Sequence, residues 1–236
     1  ASAGVSVRPV VTGEWAVLVG GVWVGQRVGA PVLGQWMSAE GHGWDRKSPA
    51  ALIGVEGGLD AQGLPVAWRS EFFIAQAKGT LEEFPLLAAV LSGVKRTGYY
   101  TGNIQKNADV LYQFPNIQTE VHRLADTAFR TAHLRTPGRM QNTFANEAFF
   151  DEMAAAAGAD PLQWRLNYLK EPRARAVLED VARLSKWQSR PSPRKDQMGD
   201  IARGRGLAFV KYDNERTFVA LVAEVDDGAG WRGKRR

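Results

Sequence analysis

Residues 132–161 read AHLRTPGRMQNTFANEAFFDEMAAAAGADP. The stretch predicts one helix with both ends marked and the start of another. Pro137-Gly138 bends the chain, residues 141–157 follow at helical spacing, and Gly158 is a natural left-handed residue just past the end. Phe144, Ala148, Phe149, Glu152 and Ala155 fall near one face of that helix. Asp160 offers a carboxylate to the first amides of the next helix, with Pro161 at its first position. The entry is the unusual part. Arg135 and Arg139 flank the Pro-Gly turn, and Gln141 and Asn142 follow it. Glycine lets the backbone approach another group closely. First-turn N–H groups seek an electronegative partner, and a guanidinium donates a planar fork of hydrogen bonds. Two readings stand at this point: a surface turn, or a loop set against something anionic or electron-rich.

Working outward, Leu162, Leu166 and Leu169 recur at helical spacing. Pro172 opens a third helix with Val177, Leu178, Val181 and Leu184 as its stripe and Trp187 at its end. Upstream, residues 51–56 and 66–73 read as strands joined by the turn GGLDAQGLP. Residues 109–114 read as extended, and IQTEVHRL alternates as a strand does. WAVLVGGVWVG, near the start, is rich in β-prone residues and reads as a strand. A short extended segment is expected over 32–37, and PLLAAVLSGVK reads as a short helix or a buried segment. Residues 188–203 have a linker's composition, and a hairpin follows with Asp213-Asn214 at its turn. Strands, then helices, then strands indicate an α+β fold: a mixed or antiparallel sheet with hairpins and a cluster of three consecutive helices.

Composition narrows the chemistry. The 236 residues are 44% hydrophobic and 23% charged, ordinary for a folded domain. No apolar run approaches the ~20 residues a membrane helix needs. There is no cysteine, which excludes disulfides, thiolate zinc sites, a cysteine nucleophile and iron–sulfur clusters bound by this chain. The net charge of +5 admits a nucleic-acid binder as an alternative. The excess sits mostly in RPSPRKDQ and WRGKRR, without the aromatic platform that single-strand binding uses. His42, His122 and His133 form neither HxxxH nor HExxH. GxGxxG, Walker A and nucleophile-elbow patterns are missing, and GHGWD reads as a loop. Glu147 and Asp151, four apart, share a helix face, as an acid–base pair, as an exposed acidic stripe or as partners for arginines.

One resemblance goes further. Arg135, Gly138, Gln141, Glu147, Asp151-Glu152, Gly158, Asp160-Pro161, Arg165 and Leu169 follow an order that resembles the molybdopterin-binding large subunit of the xanthine dehydrogenase/aldehyde oxidase family. The likeness is greatest to the bacterial branch that includes the isoquinoline 1-oxidoreductase large chains, its beta subunits. GAPVLGQWMSAEGHGWD, YQFPNIQTEVH, PRARAVLEDVARLSKW and GRGLAFVKYDNERTFVALVAEV extend it over roughly residues 29–225. It implies a molybdenum centre held by molybdopterin, expected as the cytosine dinucleotide form. The reaction implied is hydroxylation of an aldehyde or N-heteroaromatic substrate with water-derived oxygen, and the partner implied is a small iron–sulfur subunit. Arg135, Gly138, Arg139 and Gln141 would lie on the cofactor loop, Arg139 at a place where the family varies.

The expected organisation is a poorly matched segment over 1–28, an α+β domain over 29–187, a linker over 188–203, and a hairpin over 204–236 that opens an incomplete second domain. The family's GGGFG loop is not found in residues 1–28, and its GxGE glutamate, the catalytic base, has no counterpart here. The expectation is therefore a portion of a longer subunit, a fragment or the product of a disrupted reading frame, inactive alone and prone to self-association through uncovered apolar surface. A non-catalytic α+β interaction module is a second reading, and the basic nucleic-acid binder a third. Cytoplasm and periplasm both remain open.

Overall fold

The computed structural model describes residues 14–33, 37, 39, 48–75, 104–124, 136–193 and 202–227. The expected features over 34–36, 41–45 and 85–95, together with Arg135, His42 and His133, lie outside them. The elements in order are α1 (Glu14–Val28), β1 (Ala51–Leu59), β2 (Pro65–Ala75), β3 (Asn116–Leu124), α2 (Arg139–Ala156), α3 (Pro161–Tyr168), α4 (Pro172–Leu184), β4 (Ala202–Lys211), a short 3-10 turn (Tyr212–Asn214) and β5 (Phe218–Asp227). The fold is α+β, with a three-stranded sheet ordered β1-β2-β3 and a separate β4-β5 hairpin. None of the described helices is long and apolar enough to cross a membrane.

The chain forms two compact units. One takes Ala1–Leu52, Phe73–Ile104 and His122–Pro137; the other takes Ile53–Phe72, Gln105–Val121 and Gly138–Arg236. In the first, the Val-, Trp- and Gly-rich segment near the start forms helix α1, not the expected strand. A helix satisfies its backbone groups internally, whereas a strand needs a neighbour, so β-prone composition alone does not make one. Locally, the Gly29 N–H donates to the Gly25 carbonyl at 2.9 Å, and the Arg27 guanidinium lies over the Trp23 ring at 5.2 Å, one turn away. His122, also in this unit, stacks on Phe73 with ring centroids 4.5 Å apart.

The second unit holds the main core. Trp68 on β2 meets Phe114, Phe149 and Phe150, while Phe150 stacks on Tyr112 and touches Trp164 and Tyr168. β1 runs straight through Gly57-Gly58, so the connection to β2 shortens to residues 60–64. The expected use of Gly57 as a turn residue is wrong for a steric reason. A Cβ there would stand 2.6 Å from Met153 Sδ and 3.0 Å from Phe149, so the missing side chain lets α2 approach the sheet. The turn is made instead by Asp60, whose Oδ1 accepts from the N–H groups of Gln62 and Leu64.

Residues 109–114 do not form a strand. Ala108, Val110, Tyr112 and Phe114 are buried in alternation, yet the segment is irregular and is pinned by the Gln113 N–H donating to the Tyr168 carbonyl at 3.0 Å. The helix boundaries fall close to where capping residues put them. Gly158 takes φ 65 after α2, and Pro161 and Pro172 open α3 and α4. The α4 stripe shifts: Ala174, Leu178 and Ala182 are buried, while Leu184 is exposed. β4 begins inside the expected linker, and β4 and β5 pair antiparallel from Ala202↔Asp227 to Lys211↔Phe218. One face of this hairpin buries Leu207 and Phe209. Phe218 is gripped by Arg173 and Lys211, and Lys211 Nζ reaches Glu171 at 2.7 Å just before α4.

Asp160 does more than cap. Its Oδ1 accepts from the N–H groups of Leu162 and Gln163 at 3.1 and 2.9 Å, while Oδ2 accepts from Trp187 Nε1 and the Arg190 N–H, both at 3.0 Å. One carboxylate thus starts α3 and ties down the chain leaving α4. Asp160→Ala is expected to cost about 2 kcal/mol, the upper range for a cap, because it removes both functions. Urea unfolding of Asp160→Ala and Asp160→Ser checks this. Serine should restore part of the loss, and a wild-type midpoint for alanine would refute the assignment.

Candidate functional site

The entry to α2 is built from the backbone outward. Gly138 is the residue before the helix, with φ 72, and it is buried. That positive φ is cheap for glycine and strained for other residues. No side chain caps the helix and its first turn carries no acidic residue, so the earliest N–H groups have no helix-internal partner. Gln141 is half-buried, and among the described residues its side-chain amide makes no hydrogen bond.

Arg139 behaves differently. Its buried guanidinium donates from Nε to Asp213 Oδ1 and lies 4.7 Å over the Tyr212 ring. The hydrogen bond from Arg139 holds the Asp213 carboxyl below its ordinary range, with burial opposing and Lys106 and Arg216 adding to the effect. Asp213 itself sits in the left-handed region, φ 58, and its N–H donates to Asn107 Oδ1 at 3.0 Å. Asn107 Nδ2 donates to the Lys211 carbonyl at 2.9 Å. From α2, Asn142 Nδ2 donates to the Lys106 carbonyl at 3.0 Å, and Asn146 Nδ2 donates to the carbonyls of Asn107 and Ala108. Three chain segments distant in sequence therefore interlock around the start of α2.

Residues 139–154 bury a face other than the apolar stripe read from sequence. Asn142, Asn146, Glu147, Phe150, Met153 and Ala154 point inward, while Phe144 is 74% exposed. The reason is the partners. Glu147 accepts from Tyr112 Oη at 2.6 Å, from Arg165 Nε and Nη2 at 3.1 and 3.0 Å, and from the Phe209 N–H at 2.8 Å. Asp151 takes the other side of the same Arg165, which is completely buried. Burial works against the Arg165 charge, but Glu147, Tyr112 and Asp151 more than offset it and raise its pKa above the usual arginine value. Burial first, and then the charge of Glu147, push the Tyr112 hydroxyl well above its ordinary range. Glu147 and Asp151 are thus arginine partners, one of the three roles their spacing allowed, and buried Glu147 rules out the exposed acidic stripe. The spacing of Asn142 and Asn146, one turn apart with Glu147 beside them, was the sequence signal for the inward face.

A hollow of about 450 Å³ opens elsewhere on this unit, lined by residues that include Glu56, Ala67, Arg69, Asn116 and Gln118. None of the expected site residues lines it. The expected residues therefore separate. Gly138 and Gln141 offer a backbone turn and a free amide, Arg139 is committed to Asp213, and Arg135 lies outside the described residues.

Residues 66–169 match the molybdopterin cofactor-binding domain family, a span that contains the whole entry to α2. A nicotinate dehydrogenase subunit of Pseudomonas putida is 30% identical over 212 residues, taking in 86% of this chain and 17% of that protein. The chain belongs to the molybdopterin-binding xanthine dehydrogenase/aldehyde oxidase family. The isoquinoline 1-oxidoreductase beta subunit of Brevundimonas diminuta, another relative, is 39% identical over 94 residues, which cover 39% of this chain and 11% of that one. The chain thus spans less than a fifth of the length of either relative. Among solved structures, the aldehyde oxidoreductase of Desulfovibrio gigas is similar with a TM-score of 0.47 at 19% identity, over 70% of this chain and 18% of that one. First-turn amide donors without a side-chain cap and a half-buried carboxamide that can donate or accept are donors of the kind that the oxo- and phosphate-bearing molybdopterin takes, so the chemistry at the start of α2 fits such a group.

Proposed function

We propose that this chain supplies part of the cofactor-binding wall of a molybdenum hydroxylase large subunit, with the entry to α2 against the molybdopterin. The observation that carries the reading is the uncapped, positive-φ start of a long helix inside the matched span. Gly138 lets the backbone come close, the first-turn N–H groups and the Gln141 amide donate to the cofactor, and Arg135, three residues earlier in sequence, is assigned to the same loop. Arg139 supports this loop through Asp213.

When bound, the molybdenum centre supplies hydroxylation of an aldehyde or N-heteroaromatic carbon with oxygen taken from water. The cofactor is proposed in its cytosine dinucleotide form, and the electrons are proposed to leave through a small iron–sulfur partner. The lack of cysteine is consistent with such a division of labour. The catalytic base is not assigned to any residue of this chain.

The test is retention of the cofactor by the protein purified with its partner subunits. Molybdenum is measured by elemental analysis and pterin by fluorescence after oxidation. Gln141→Ala is expected to lower both about tenfold, the loss of one or two good hydrogen bonds, while the thermal midpoint stays put. Unchanged molybdenum and pterin in that variant would remove Gln141 from the site. Their absence from the unmutated complex would remove the function proposed.

A further inference from the structure

Arg139 stands at a place where electrostatics disfavour it. It is the first residue of an 18-residue helix, the end that carries partial positive charge, and it is buried. No acidic residue of the helix's own first turn answers it. Among the described residues, a carboxylate that does comes from 74 residues away in sequence, in the hairpin turn after β4.

That carboxylate is held from both sides. Asp213 is fixed in left-handed geometry, its N–H bound by Asn107, and Asn107 is bound in turn to Lys211. The carbonyls of residues 106–108 return the connection to α2 through Asn142 and Asn146. The result is a closed ring: Arg139 to Asp213, Asp213 to Asn107, Asn107 to Asn146, and back along one helix to Arg139. Asp213 and Arg139 supply the ion pair of this ring, and Tyr212 beneath the guanidinium fixes its plane.

We propose that Asp213 is a positioning residue for the entry to α2: it keeps the Arg139 guanidinium turned into the protein and so holds Gly138 and Gln141 in place for the cofactor. The proposal rests on the cofactor reading above and adds a residue outside the matched span. Its physical content is a competition between anions. A bound anionic group near the helix start attracts the nearest available guanidinium. With Asp213 ionised, Arg139 is already satisfied, and the backbone donors and Gln141 meet the ligand instead. With Asp213 neutral, the Arg139 guanidinium loses the hairpin carboxylate that holds it inward, and turning toward a bound anion becomes cheaper.

The experiment compares wild type, Asp213→Asn and Asp213→Glu as the full-length protein with its partner subunits. Amide hydrogen exchange is read over residues 138–142 and 211–216, with α4 as an internal control. Asp213→Asn is expected to speed exchange in those two segments roughly tenfold, leave α4 unchanged, and lower molybdenum and pterin content. Asp213→Glu, which keeps the charge, should recover part of both. If Asp213→Asn does not fold, Arg139→Lys makes the same comparison, because it keeps the charge and loses the planar fork. Unchanged local exchange, or equal acceleration in α4, overturns the positioning role even with the wild type fully loaded. A wild type empty of molybdenum and pterin overturns the reading beneath it instead, and the two failures are told apart by that measurement.

Discussion

Glu147→Ala is expected to destabilise the protein by about 3–5 kcal/mol, the range for breaking a buried ion pair from one side. The side chain accepts from Tyr112, from two nitrogens of Arg165 and from the Phe209 N–H. Removing it leaves a fully buried guanidinium with Asp151 as its remaining carboxylate partner, a buried phenol without its acceptor, and a buried amide without one. At this chain length the loss corresponds to a fall of roughly 6–20 °C in thermal midpoint. Glu147→Gln keeps the shape and some of the acceptors, so its loss should be smaller. The double variant Glu147→Leu/Arg165→Met should recover much of the single variant's loss, because removing both charges spares the cost of leaving one unpaired. Calorimetry on the three variants settles the matter. A single variant as stable as wild type would mean that the network does not hold the fold together.

Phe150→Ala is expected to cost about 3–5 kcal/mol, as for a large aromatic removed from a closed core. Its ring is completely buried and stacks on Tyr112 at 3.7 Å between centroids. It also meets Trp68, Phe114, Trp164 and Tyr168, so β2, the irregular segment before β3, α2 and α3 share this one side chain. Neighbours this rigid cannot collapse into the vacated space, which places the cost toward the upper end. Phe150→Leu should lose less than half as much. Chemical denaturation of both variants is the measurement, and a loss under about 1 kcal/mol for alanine would contradict the packing described.

The legible parts of this fold are those whose signals are local. Asp160-Pro161, Pro172 and Gly158 mark helix ends to within a residue or two, and Asp213-Asn214 marks the hairpin turn, where both residues take φ 58. The turn before α2 was legible too, since Gly138 takes φ 72; its reading as a cofactor loop came from a family-like order of Arg135, Gly138 and Gln141 and is a proposal. Less legible were α1, whose β-prone residues fold as a helix, and Gly57, which permits packing and does not turn the chain. The orientation of α2 was the largest misreading. Hydropathy turns Phe144 inward, yet Asn142, Asn146 and Glu147 are the buried residues. A polar residue belongs inside only when partners wait for it there, and those partners are not on the helix.

The amino-acid sequence alone determined where α2 ends and where α3 and α4 begin, the α+β class and the family likeness of the loop before α2. Caps and turns close on atoms a few residues away, and such contacts are written in neighbouring letters. Tertiary structure decided which face of α2 goes inside, what Glu147 is for and where the Arg139 guanidinium points. Those outcomes depend on Arg165, Tyr112, Phe209 and Asp213, which lie 18, 35, 62 and 74 residues from the groups they bind. A buried charge takes the conformation its distant partner permits, and only the folded chain brings that partner to it.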